Sequence, residues 1–160
     1  MKIGNQTING VEFPFVPAAG KVPLAADMTS SFLSQPVDVN RFGVIFAGAQ
    51  KNAGIAGLTL VIVRDDLLGK ASADTPLLMN YELQAKAGSM LSTAPTFAWY
   101  VADLVFKWLE AEGGVTAVAM RNRRKSERLY ACIDASNFYA NPVPVECRSL
   151  MNVPFSLADP

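Results

Sequence analysis

The chain of 160 residues contains no histidine. This absence excludes Ser-His-Asp and Cys-His catalysis, imidazole ligands for zinc, and imidazole as a general base. Any proton transfer must therefore use Lys, Asp, Glu, Tyr or Cys side chains. Cysteine is also scarce, since only Cys132 and Cys147 occur and no C-x-x-C pattern is present. The sequence thus indicates neither a disulfide framework nor a thiolate metal site, and we expect a reducing, cytoplasmic environment.

An excess of charge of one sign and long hydrophobic runs are absent as well. Fourteen Lys and Arg residues balance fourteen Asp and Glu residues, so no overall field draws the chain to nucleic acid or to an anionic membrane. The N-terminal residues lack the apolar core of a signal peptide, and the longest aliphatic run, residues 58–63, is too short to cross a bilayer. We therefore expect a soluble protein that has no nucleic-acid or membrane partner.

Charged residues are few and apolar residues are many. Charged residues make up 18% of the chain and hydrophobic residues 51%, whereas soluble domains typically carry about 25% charged residues. The length suits one domain with a sizeable core. The apolar surplus predicts that part of the surface is buried against another subunit or against further parts of the same polypeptide.

Two apolar runs predict neighbouring strands of an α/β fold with a mostly parallel sheet and helices. Residues 22–26 lead to Asp27, and residues 44–47 lead to a loop of small residues. Neither run alternates with polar residues, which is typical of parallel strands covered on both faces, and segment 28–43 is long enough for the crossover between them. A third run, residues 58–63, follows so closely that we expect it to pair antiparallel with the second.

Two amphipathic helices are predicted in the second half of the chain. In the first, Thr93 is the expected N-cap, Pro95 lies in the first turn and Gly113-Gly114 ends the helix. The second should run from about residue 115 to 133 and bury Cys132 on its apolar stripe. The apolar stripe of the first helix consists of Phe97, Val101, Leu104, Val105 and Trp108.

The remaining signals favour structural roles. Asp65 and Asp66 begin an expected helical turn, where carboxylates match the positive end of the helix dipole. Trp99 and Trp108 are expected in the core or at an interface, and residues 149–153 are a candidate strand. The basic residues of the second helix should form a solvated face; they are Arg121, Arg123, Arg124, Lys125 and Arg128.

The candidate chemistry centres on Lys51. This lysine lies in the segment AGAQKNAG, directly after an apolar strand and among residues with small side chains. In open α/β sheets, ligands bind outside the carboxyl ends of strands, and Asp27 and Lys51 each follow such an end. Adjacent strands lie about 4.8 Å apart, so the two groups can face opposite edges of one aromatic ring. Pyridoxal phosphate requires this arrangement, with a Schiff base to the lysine amine and a carboxylate beside the ring nitrogen.

Each of these residues also has a simpler interpretation. A single lysine in a loop is usually solvated, and an aspartate that precedes Thr29-Ser30-Ser31 can act as a turn or N-cap residue. The loop lacks the G-x-x-x-x-G-K-[ST] spacing of a Walker A motif, which excludes nucleotide binding by that route. Spacing alone leaves the solvated lysine and the turn-forming aspartate open.

Several blocks, in order along nearly the whole chain, resemble one family. The segment AGAQKN is fairly specific by itself, and five blocks with compatible spacing are much more so. These blocks are residues 26–31, 43–52, 56–64, 95–100 and 151–155, with a further similar stretch at 5–13. On these residues the chain resembles the phosphoserine aminotransferase family, which consists of class V, fold type I enzymes that depend on pyridoxal phosphate.

The resemblance implies roles for individual residues. Lys51 would bind the cofactor covalently, Asp27 would pair with its ring nitrogen, and Gln50 would lie beside it. Ser92, which stands where asparagine is expected, and Thr93 would reach across a homodimer interface to the phosphate of the neighbouring subunit's cofactor. The implied reaction moves an amino group between glutamate and 3-phosphohydroxypyruvate in serine biosynthesis.

The family's chains are much longer than this one. The resemblance implies that residues 1–112 belong to the large cofactor-binding domain and residues 113–160 to the start of a small C-terminal α+β domain. The loop that holds most of the cofactor phosphate, the aromatic residue that stacks on the ring and the substrate-binding side chains would then lie outside the sequence. We therefore expect the chain to be inactive by itself.

Three alternatives stay open at the level of sequence. The first is another class V aminotransferase with a different amino acceptor. The second is a non-catalytic partial domain that acts only in association, and the third is an interaction module that uses its exposed helix faces without a cofactor. Reductive trapping of a pyridoxyl group on Lys51 separates the enzymes from the other two.

Overall fold

The computed structural model describes residues 9–158. Residues 5–8 of the family-like stretch at 5–13 lie outside this range. Among the described residues, no helix combines the length and the hydropathy needed to cross a bilayer.

A three-stranded sheet organises the first half of the chain. Its strands are β1 (Ala25–Asp27), β2 (Val44–Gly48) and β3 (Thr59–Val63), in the spatial order β1-β2-β3. β1 and β2 are parallel, with Asp27 opposite Phe46, and β2 and β3 are antiparallel. These pairings confirm the predicted mixed sheet.

β1 begins three residues later than predicted. Pro23 has no backbone N–H to give to a neighbouring strand, and pairing starts only where the carbonyl of Leu24 accepts hydrogen bonds from Gly43 and Val44. The crossover from β1 to β2 contains turns and a 3₁₀ helix, Val39–Arg41, rather than an α-helix. The core beneath the sheet consists of Leu24, Ala26, Met28, Phe42, Ile45 and Ala47.

Helices follow the sheet. They are α1 (Tyr81–Lys86), α2 (Thr96–Ala111) and α3 (Gly114–Asp134), with short 3₁₀ helices at Asp65–Leu67, Leu77–Met79 and Val145–Cys147. The turn expected at Asp65 is therefore present. The second predicted helix is confirmed within a residue at each end.

The first turn of α2 differs from the prediction. The helix begins at Thr96 with Pro95 as its N-cap, and no side chain caps it. Thr93 was expected at this position but lies two residues before the cap, so its hydroxyl is not placed to accept from the first helical amides. The N-cap prediction for Thr93 is wrong, and so is the placement of Pro95 inside the first turn.

The buried face of α2 consists of alanines rather than of the large apolar residues. Ala98 and Ala102 are each 3% exposed, whereas Phe97 is 69% exposed and Trp99 and Trp108 are 41% and 48% exposed. A Cβ atom added at Gly54 would lie 3.5 Å from Ala102, which shows how closely the helix approaches the chain after β2. Only small side chains permit such an approach. Because both tryptophans are more than 40% exposed, neither lies in the core of this chain. Their place at an interface remains a prediction.

α3 buries a stripe with a polar centre. Cys132 lies outside this stripe and is exposed, so its predicted packing is wrong. Arg121 forms an ion pair with Glu112, while the other four basic residues of the helix are exposed, as expected for a solvated face. The buried residues of α3 are Val118, Asn122, Ser126, Tyr130 and Ile133.

The C-terminal region contains a turn where a strand was expected. The hydroxyl of Ser149 accepts hydrogen bonds from the amides of Met151 and Asn152, which closes a turn and prevents extended pairing. Residues 149–153 are therefore not a strand. Pairing occurs instead between β4 (Tyr139–Ala140) and β5 (Ser156–Leu157), which are antiparallel.

A buried polar network joins the two halves of the chain. The carboxylate of Glu12 accepts hydrogen bonds from Ser149 and Gln35, each at 2.9 Å. The amide of Asn122 donates to the Ser34 carbonyl at 3.1 Å, and the hydroxyl of Tyr130 donates to the Ser149 carbonyl at 2.8 Å. Burial raises the pKa of Tyr130. Two of these bonds, Ser149 to Glu12 and Asn122 to Ser34, cross the predicted boundary at residue 112, and the division into two domains stays a prediction.

We predict that Asn122→Ala destabilises the protein by about 1–3 kcal/mol, because the substitution leaves the buried Ser34 carbonyl without its donor. Urea denaturation followed by circular dichroism measures the change in the free energy of unfolding. Asn137→Ala, at an exposed position, is the matched control and should change it by no more than about 0.5 kcal/mol. Equal effects of the two variants would contradict the role of this hydrogen bond.

Candidate active site

Asp27 is the last residue of β1 and is held by the turn that follows it. Its Oδ1 atom accepts from the backbone amide of Thr29 at 3.0 Å and from the Thr29 hydroxyl at 2.6 Å. The turn-forming role that the sequence left open is therefore real. It uses one carboxylate oxygen, and within residues 9–158 no hydrogen bond to Oδ2 is recorded, so that oxygen can accept from a ligand.

Lys51 lies three residues beyond the carboxyl end of β2. The chain leaves the strand with the Ala49 amide bonded to the Leu58 carbonyl at 2.9 Å, and it then forms one helical turn in which the Ala53 amide bonds to the Ala49 carbonyl at 3.1 Å. We call residues 49–57 the lysine loop. Ala49 and Ala53 are buried and Lys51 is exposed, so the loop points its lysine away from the core.

The turn at residues 28–32 connects the aspartate to the lysine loop, and we call it the bridging turn. The hydroxyl of Thr29 donates to Asp27 and accepts from the Gly48 amide at 3.1 Å. The Nζ atom of Lys51 donates to the Ser30 hydroxyl at 3.1 Å. Adjacent residues of one turn therefore contact both predicted site residues.

A second contact fixes the lysine loop on its other side. The side-chain amide of Asn52 donates to the Phe32 carbonyl at 2.6 Å. Gly54 and Gly57 pack against Ala102 and Ala98 of α2. The loop is thus held between the bridging turn and a helix.

The structure brings Asp27 and Lys51 to the same edge of the sheet, as predicted from the parallel pairing of β1 and β2. Gln50 is exposed, and its side chain folds back over Gly48, since a Cβ atom added there would lie 2.4 Å from Gln50 Oε1. Gln50 is therefore beside Lys51 at the surface.

Ser92 and Thr93 do not join this group within the chain. Both are exposed in the irregular segment that precedes α2. No hydrogen bond of either side chain is recorded within residues 9–158, which leaves both hydroxyls available to another molecule.

Sequence reasoning assigned no role to Thr29, Ser30 or Asn52. The signal was present, because Thr29 and Ser30 follow Asp27 directly and Asn52 follows Lys51. Polar side chains that come immediately after the ends of two parallel strands lie at the same edge of the sheet. Which of them contact each other depends on turn geometry, and the sequence does not reveal that.

The lysine edge lies at the surface of this chain, since Gln50 and Lys51 are both exposed. A cleft lined in part by Phe42, Ile45, Ile62 and Arg64 lies at the opposite end of β2 from Lys51, so it is not part of the lysine site. The lysine edge itself presents an amine, a carboxylate oxygen and an amide at the surface. Such a set can hold a flat ligand with an electrophilic carbon at one end and a basic nitrogen at the other.

Comparison with known proteins identifies the family. The model of the class-V aminotransferases matches residues 4–160. The phosphoserine aminotransferase of Hahella chejuensis is 59% identical over 155 residues, which cover 97% of this chain and 43% of that protein. The chain thus spans less than half the length of the curated relatives it matches.

Solved structures agree with this result. The phosphoserine aminotransferase of Bacillus circulans subsp. alkalophilus superposes with a TM-score of 0.92 at 43% identity, over 98% of this chain and 44% of that one. A phosphoserine aminotransferase from Trichomonas vaginalis, described as bound to pyridoxal phosphate, has a TM-score of 0.92 at 40% identity, over 98% of this chain and 46% of that one. The fold is that of the fold type I aminotransferases, and the chain belongs to the aminotransferase class-V family.

Proposed function

We propose that this chain is the lysine-bearing part of a phosphoserine aminotransferase. The protein would use pyridoxal phosphate to move an amino group between glutamate and 3-phosphohydroxypyruvate in serine biosynthesis. The observation that carries the proposal is the position of Asp27 and Lys51 at one sheet edge, in a chain that matches phosphoserine aminotransferases over nearly all of its length.

The residues present fit the cofactor. The amine of Lys51 contacts a hydroxyl and belongs to an exposed residue, so a cofactor can reach it. The Oδ2 atom of Asp27 accepts no hydrogen bond from residues 9–158 and can accept one from the ring nitrogen, and Gln50 is placed to lie beside the ring. When bound, the cofactor supplies an electron-withdrawing ring that stabilises negative charge on the substrate carbon.

Lys51, Asp27 and Thr29 would then have separate roles. Lys51 would hold the cofactor and, when its amine is free, accept and return a proton at the substrate carbon. Asp27 would keep the ring nitrogen protonated. Thr29 would orient Asp27 through the two hydrogen bonds that fix Oδ1.

A homodimer and a cytoplasmic location complete the proposal. Ser92 and Thr93 are exposed next to the N-terminus of α2, a helix end that favours phosphate, so they suit the phosphate of a neighbouring subunit's cofactor. The scarcity of cysteine and the absence of a C-x-x-C pattern support a reducing compartment. Small molecules are the proposed ligands, without nucleic-acid or membrane partners.

Reduction with borohydride tests the cofactor assignment. After incubation with pyridoxal phosphate, the protein should show a yellow absorbance band that borohydride bleaches, and peptide mass spectrometry should place the pyridoxyl group on Lys51. Lys51→Ala should lose the band and the adduct, because among residues 9–158 no other lysine follows closely on the carboxyl end of β1 or β2. Lys86→Ala, at an exposed lysine, is the matched control and should keep both. An adduct that persists in Lys51→Ala would remove the assignment.

Asp27→Asn tests the carboxylate. Asparagine retains an oxygen that can accept from Thr29, so the turn and the stability should persist, whereas the charge at the ring nitrogen is lost. We expect turnover to fall by about 10²–10³-fold. Turnover is measured in a chimaera in which this chain replaces the matching segment of a full-length relative, and in parallel for the chain itself.

The chimaera also separates the enzyme from its alternatives. Transfer to 3-phosphohydroxypyruvate in preference to other oxo acids supports the proposed acceptor, and preference for another acid indicates a different class V aminotransferase. A chimaera that neither retains the cofactor nor transfers an amino group would support a non-catalytic domain. Wild-type turnover in Asp27→Asn would contradict the role of Asp27.

Complementation tests the position of Thr93 in a dimer. Thr93→Ala and Lys51→Ala chimaeras should each have low activity, because one lacks a phosphate contact and the other lacks the reactive amine. If Thr93 serves the neighbouring subunit, a mixed dimer contains one intact site, and mixing the two variants after mild denaturation should restore part of the activity. Absence of any recovery in verified mixed dimers would place Thr93 in its own subunit's site or in none.

A further inference from the structure

Ser30 is a buried residue of the bridging turn whose side chain contacts the proposed reactive atom. Its exposed fraction is 8%, and its hydroxyl accepts from Lys51 Nζ at 3.1 Å, across 21 positions of sequence. Among residues 9–158, Lys51 is the hydrogen-bond partner of the Ser30 side chain. Lys51 takes part in no recorded ion pair in the same range.

We infer that Ser30 holds the amine of Lys51 whenever that amine is not bonded to the cofactor. The inference rests on the proposed function, in which the amine alternates between a bonded and a free condition. The free amine would then have a defined position on the bridging turn instead of lying in solvent.

The chemistry of a hydroxyl suits this task. A carboxylate would form an ion pair and hold the amine in its charged, unreactive form. A serine hydroxyl accepts from an ammonium group and can also donate to a neutral amine, so it serves both protonation states. It therefore fixes the position of the amine without preventing its reaction.

The backbone around Ser30 is fixed on both sides. Thr29 is bonded to Asp27 and to the Gly48 amide, and the Phe32 amide donates to the Met28 carbonyl at 2.7 Å. Asn52, next to Lys51, is bonded to the Phe32 carbonyl. Donor and acceptor thus belong to segments that are themselves connected, which keeps their separation short at little cost in entropy.

Burial of Ser30 favours the bonded position of the Lys51 amine. When Lys51 leaves Ser30, a buried hydroxyl loses its partner, and such a loss is unfavourable. The structure therefore favours the return of the amine to Ser30 as soon as it is released.

Lysine labelling without cofactor or substrate tests the inference. The protein is stripped of cofactor with hydroxylamine and reacted with acetic anhydride, and peptide mass spectrometry gives the rate for each lysine. Exposed Lys21 and Lys70 are internal references. In Ser30→Ala, the Lys51 rate should rise about five-fold relative to the references, because the amine loses a hydrogen bond.

Three further variants make the result decisive. Ser30→Thr keeps the hydroxyl and should label Lys51 at the wild-type rate. Ser31→Ala removes an adjacent serine that is also buried, and it should leave the rate unchanged. Ser30→Cys keeps the size with a weaker hydrogen-bonding group, and an intermediate rise is expected even if Ser30→Ala does not fold.

An unchanged Lys51 rate in both folded Ser30 variants, Ser30→Ala and Ser30→Cys, would overturn the inference. An equal rise in Ser31→Ala would do the same, because it would show a general loosening of the bridging turn. Neither result depends on transaminase activity. Failure of the proposed function appears separately, as the absence of a pyridoxyl group on Lys51 in the wild-type protein.

Discussion

The hydroxyl of Thr29 joins the carboxyl ends of two parallel strands. It donates to the aspartate that ends β1 and accepts from the last amide of β2, so the register of the sheet and the position of the aspartate are set together. The lysine loop then starts from a fixed point. Ser30 and Asn52 add further contacts between the bridging turn and the lysine loop, and the proposed chemistry depends on this small set of hydrogen bonds.

The sequence predicts the sheet well because its signals are local. Three apolar runs of strand length predict β1, β2 and β3. The long segment between the first two runs indicates parallel pairing, and the short one between the second and third indicates antiparallel pairing. Parallel pairing of β1 and β2 in turn puts Asp27 and Lys51 at one edge of the sheet. The contacts made by Thr29, Ser30 and Asn52 were not predicted. They depend on how a turn of five residues folds, and several turns would satisfy the same sequence.

Helix faces were predicted less well than helix positions. Periodicity finds α2 and α3, but it ranks residues by hydropathy, and the buried stripe of α2 is chosen by size, with Ala98 and Ala102 against glycines of the lysine loop. In α3 the buried stripe contains Asn122 and Ser126, whose hydrogen bonds compensate for burial. Hydropathy alone therefore misplaced Cys132, and it did not show that Trp99 and Trp108 lie outside the core of this chain.

The junction between α2 and α3 restricts which residues can replace Gly113 and Gly114. Gly113 and Gly114 have φ angles of 90° and 77°, a left-handed conformation that residues with a Cβ atom rarely adopt, and a Cβ atom at Gly113 would lie 3.1 Å from Ala117. Most single-nucleotide changes in these two codons would thus strain the corner between the helices. The corner between α2 and α3 therefore favours glycine at both positions.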